Sequence, residues 1–77
     1  MQDDARQRVA ANVRAELARA GMNQTDLAKA MGISRQNASQ RLLGRSAFKA
    51  EEIIQIGQWL GVAPETLLAG AAAVRAA

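Results

Sequence analysis

Cysteine and histidine are both absent from this 77-residue chain. Without cysteine there is no disulfide and no thiolate metal site. Without histidine the commonest metal ligand is missing, and so is the usual general base near neutral pH. A self-contained hydrolase or metalloenzyme is therefore not expected, and no cofactor is implied. Tyrosine is missing as well, and Phe48, Trp59 and Pro64 are each the sole residue of their type. β-Branched residues are few and no alternating run of five occurs, so strands are not expected. No apolar run nears the roughly 20 residues that span a bilayer. The opening Met-Gln-Asp-Asp lacks the apolar stretch of a signal peptide, and a cytoplasmic protein is the expectation.

What is present is alanine and positive charge. Apolar residues make up 49% of the chain, and eighteen of them are alanine, which leaves twenty larger side chains for one modest core. The length fits a single small domain. The formal net charge is +3, a balance that suits a polyanionic partner such as nucleic acid or an acidic membrane. The distribution is more telling than the sum. Six basic residues (Arg19, Lys29, Arg35, Arg41, Arg45, Lys49) and one acid, Asp26, lie between Arg19 and Lys49, so that segment carries +5 and the remainder −2.

Glycines punctuate the helix-forming stretches. The first stretch begins at Asp3 or Asp4, a suitable N-cap. It carries Val9, Val13 and Leu17 at i, i+4, i+8, with Ala10 and Ala20 beside them, and stops at Gly21. The second starts at Asn23 or Gln24 and ends at Met31 before Gly32, with Leu27, Ala28 and Met31 as its apolar stripe. The third, Arg35 to Leu43, is capped by Ser34 and closed by Gly44. Only about three residues separate the second and third, the spacing of a helix-turn-helix. The third is poor in core residues: Ala38, Leu42 and Leu43 are its apolar positions, against Arg35, Gln36, Asn37, Ser39, Gln40 and Arg41. The fourth, about Ala50 to Leu60, has Ile53, Ile56 and Leu60 on one face, with Phe48 as a core plug before it. The fifth opens with Pro64 at its first turn, is expected to seal the core with Leu67 and Leu68, and ends at Gly70. The fold class is thus all-α, with residues 1–70 as one domain and 71–77 as a short Ala-rich tail.

The run from Asn23 through Gln36 (NQTDLAKAMGISRQ) resembles the helix-turn-helix of the lambda Cro/C1 repressor-type, XRE-like family. Ile56 to Leu68 (IGQWLGVAPETLL) resembles that family's fourth and fifth helices, so the likeness covers about Val9 to Gly70. The motif is specific for the fold and for DNA binding, and silent on the operator. Many members carry an arginine on helix one paired with a glutamate late in helix three, and the corresponding positions here are Leu17 and Leu42. Both partners differ together, as an apolar replacement of a whole buried ion pair would require.

The resemblance implies a five-helix lambda-repressor-like domain whose third helix enters the major groove of double-stranded DNA. Arg35, Gln36, Asn37 and Gln40 are then the base-contacting candidates. An arginine fork matches guanine O6 and N7, and a glutamine amide matches adenine N6 and N7. Gln24 matches a phosphate-holding position of the family, and Asn23, Ser34, Ser39, Arg41, Arg45 and Lys49 are the other phosphate candidates. Two half-sites read by a weak homodimer are expected, with contacts through Trp59, the helix four–five region or the tail around Val74. The function expected is a transcriptional regulator, most like a phage Cro-type or immunity repressor. The rival readings are an antitoxin-type autorepressor and a helical protein-interaction module.

Overall fold

The computed structural model describes residues 3–71, so Val74 and the tail beyond Ala71 lie outside the described residues. Five helices occur there: α1 (Asp3–Ala20), α2 (Gln24–Met31), α3 (Arg35–Leu42), α4 (Ala50–Leu60) and α5 (Pro64–Leu67). No strand occurs among the described residues. Asp3 and Asp4 are already helical, so neither is the cap expected of them.

Local chemistry sets the helix-turn-helix boundaries. At the start of α2, Asp26 N–H donates to Asn23 Oδ1 and Asn23 N–H donates to Asp26 Oδ2, each at 2.9 Å. This reciprocal capping box satisfies two donors that an uncapped helix start would leave open. Gly32 ends the helix at φ +69°, a left-handed geometry that costs glycine no Cβ clash. It lets Ile33 N–H reach back to Ala28 O at 3.0 Å. Two residues later Ser34 Oγ accepts Asn37 N–H at 3.0 Å and starts α3. At its far end α3 stops at Leu42 rather than Leu43, which is the C-cap and is exposed.

One core lies among the five helices. It consists of Val13 and Leu17 from α1, Leu27 and Ala28 from α2, Ala38 and Leu42 from α3, Ile53 and Ile56 from α4, and Leu67 from α5. Val9, Met31, Ile33, Phe48, Trp59, Leu60 and Val62 pack around its edge. Leu17 and Leu42 are 4% and 8% exposed and belong to this same cluster, in keeping with the paired apolar replacement. Leu68 does not seal the core as expected: Leu67 is fully buried and Leu68 is 45% exposed. Leu67 is the last residue of α5, and Leu68 is the C-cap, where the chain leaves the helix.

A close backbone approach fixes the junction of α4 and α5. A Cβ built on Gly57 would meet Val62 O at 2.7 Å, and Val62 N–H donates to Gly57 O at 2.9 Å. Gly57→Ala is therefore expected to destabilise the fold by about 1–3 kcal/mol through overpacking. A helical alanine would otherwise be the better residue, so a urea titration in which the variant is equally or more stable contradicts the close approach.

Candidate nucleic-acid interface

α3 turns one stripe inward and leaves its first turn outward. Ala38 and Leu42 are buried, while Arg35, Gln36 and Asn37 are exposed. Gln40, one turn beyond Gln36, is half-buried, as is Ser39. The three exposed side chains occupy the first turn, where a helix seated end-on in a groove presents its readers.

The remaining candidates divide by location. Asn23 and Gln24 are exposed at the start of α2. The two helix starts are joined, because Gln24 Nε2 donates to Arg35 O at 3.1 Å. Ser34 is exposed, and its hydroxyl serves as the cap. Arg45 and Lys49 are exposed in the segment joining α3 to α4. Arg41 is not with them. Its Nε and Nη2 donate to Glu52 Oε1 and Oε2, both at 3.1 Å, and the two side chains are only 15% and 13% exposed. A bidentate fork of this kind commits the guanidinium to one carboxylate.

The paired arginines change the electrostatics of the basic segment. Arg19 is ion-paired with Glu16 and Arg41 with Glu52, and both acids lie outside the segment. Lys29, Arg35, Arg45 and Lys49 remain without a carboxylate partner among the described residues. The positive field is therefore carried by fewer side chains than the count of charges suggests, and three of the four belong to α3 or to the segment that follows it.

Side chains from α1 hold the far ends of α3 and α5. Arg14 Nη1 donates to Leu42 O, and Gln7 Nε2 donates to Leu43 O at 3.1 Å. Asn12 Nδ2 donates to Leu67 O and Ala69 O, each at 2.9 Å. Leu42 O, Leu43 O and Leu67 O are among the acceptors that a helix leaves unpaired at its C-terminus, and Ala69 O lies just past α5. Sequence reasoning missed all three residues, since a lone Gln, Asn or Arg on α1 carries no local signal of a partner 28 to 57 positions away. Glu52 also accepts the N–H of the start residue Lys49 at 2.8 Å, but that local role carries no signal of its bond to Arg41 eleven residues back.

Other chemistry is sparse. Among the described residues, no group of three or more acidic side chains could hold a metal ion, and no helix is long and apolar enough to cross a membrane. Among the described residues, shallow hollows lie along α1 at Asp4, Gln7, Arg8, Ala11 and Arg14 and at Met22, Asp26, Lys29, Ala30 and Trp59. Neither is lined by a residue of α3.

A helix-turn-helix with a capped, outward-facing polar third helix defines a class, that of DNA-binding transcriptional regulators. The chain belongs to the helix-turn-helix family HTH_3, of the XRE type, which matches residues 13–67. It is also similar to a crystal structure of the hypothetical transcription factor NHTF from Neisseria. That likeness has a TM-score of 0.79 and 26% identity, and covers 100% of this chain and 90% of the other. Among curated proteins, no sequence matches this chain closely enough to show a relative.

Proposed function

We propose that the protein is a sequence-specific repressor of the phage Cro or immunity type, which occupies operator DNA and blocks polymerase. The observation that carries this reading is the exposure of Arg35, Gln36 and Asn37 together on the first turn of α3. With α3 in the major groove, Arg35 reads a guanine, Gln36 an adenine, and Asn37 and Gln40 the neighbouring edges. Asn23, Gln24, Ser34, Arg45 and Lys49 hold phosphates on either side, and such contacts set register without reading sequence. Ser39, half-buried, is at most a minor phosphate contact, and Arg41 is occupied by Glu52.

A single module of this size buries roughly 600–1,000 Å² on DNA. Two copies on half-sites about one helical turn apart supply the affinity that one lacks. The chain pairs weakly near Trp59 and the α4–α5 end, and the dimer is completed on the operator.

Selection of bound sites from a random duplex pool tests this reading. A palindromic motif with half-sites spaced by about ten base pairs is expected. A pool that stays random after repeated rounds, with binding insensitive to salt, contradicts it. Lys49→Ala is expected to weaken selected and mixed duplexes alike, and to lower the slope of log affinity against log salt by about 0.9. A loss confined to the selected motif would instead make Lys49 a base reader.

A further inference from the structure

Resting on the DNA-binding reading above, we propose that Glu52 sets the protein's overall affinity for DNA by keeping the Arg41 guanidinium off the phosphate backbone. Arg41 sits on the reading helix one turn past Asn37, and in the chain it is followed by the exposed cations Arg45 and Lys49. The family resemblance makes it, with them, a phosphate candidate. Instead both of its engaged nitrogens are bonded to Glu52. The carboxylate is fixed in turn, since Glu52 Oε1 also accepts Lys49 N–H at 2.8 Å. The bidentate pair has no net charge, and at 15% and 13% exposure little of it meets solvent.

Non-specific affinity for DNA rises with the number of phosphates a protein neutralises, whereas base readout does not depend on that number. A cation withheld from the backbone therefore lowers binding to all sequences and leaves the contributions of Arg35 and Gln36 intact. Glu52 thus lowers the affinity for operator and mixed sequence alike, and leaves the ratio of the two to the base readers. Glutamine in its place keeps the shape and one acceptor for Lys49 N–H. It also turns an amide N–H₂ toward the guanidinium, where two donors face each other, and so releases a charged arginine beside the duplex.

The test compares wild type, Arg41→Met, Glu52→Gln and the double variant, each titrated with a selected operator and a mixed-sequence duplex over a salt series. Glu52→Gln is expected to steepen the salt slope by about 0.9, to tighten operator and mixed-sequence binding alike several-fold at low salt, and to leave the ratio of the two unchanged. The double variant is expected to return to the wild-type slope, and Arg41→Met alone not to flatten it. A Glu52→Gln slope equal to or shallower than wild type overturns the inference, and so does a drop of about 0.9 in Arg41→Met, which places Arg41 on a phosphate already. If Glu52→Gln does not fold, the double variant decides alone: a slope matching wild type supports the inference and a shallower one overturns it. A wild-type protein with no salt dependence fails the DNA-binding reading itself and this inference with it, whereas a normal wild-type slope unmoved by Glu52→Gln fails only the inference.

Discussion

Arg35→Ala is expected to cost about 1–3 kcal/mol of operator binding and to relax preference at one base pair. The structure isolates the side chain from the scaffold. Arg35 is exposed and follows the cap residue Ser34, and its main-chain carbonyl is held by Gln24 Nε2 at 3.1 Å. Alanine supplies the same carbonyl and is the best helix former, so the start of α3 survives the change. Removal of an exposed side chain without packing partners shifts stability by no more than about 0.5 kcal/mol. The affinity loss therefore reports the DNA contact alone. Titration against the operator and its single-base variants checks it. Equal weakening on every variant would assign Arg35 to a phosphate, and an unchanged affinity would take α3 out of the groove.

Leu27→Ala is expected to have the largest effect on the fold, about 2–5 kcal/mol by urea denaturation. Leu27 is fully buried in the cluster that joins all five helices, and it lies on α2, only eight residues long. A helix of that length has little stability of its own, so packing through Leu27 holds it in place. Small domains retain only about 5–15 kcal/mol in total, and a cavity here removes a large share. DNA binding is expected to fall with it, because α2 carries Gln24 and the turn that sets α3. Leu68→Ala is the control: at 45% exposure it should stay within about 0.5 kcal/mol. Similar losses in both variants would mean that the core is not where the burial pattern places it.

The helices were legible in the sequence because their ends are written in local chemistry. Asn23 with Asp26, Ser34 with Asn37 and Gly32 are each read from within four residues. The outward face of α3 was legible by subtraction, since Ala38 and Leu42 account for its inward stripe. Two kinds of feature were not. Leu67 and Leu68 are equally apolar, and only the point where a short helix ends decides which is buried. The partner of Arg41 was not legible, because Glu52 lies eleven residues on, across a loop whose path is set by tertiary packing. The basic count of the central segment was inflated for the same reason, as Glu16 and Glu52 lie beyond its ends.

The side-chain bonds that reach α3 and its C-cap from α1 and α2 end on main-chain oxygens: Arg35 O from Gln24, Leu42 O from Arg14 and Leu43 O from Gln7. Every amino acid carries that oxygen. The outward residues at 35, 36 and 37 can consequently be exchanged one at a time while the clamps that hold the helix stay closed. A lineage built on this scaffold can drift from one operator to another by single substitutions, with foldability preserved at each step.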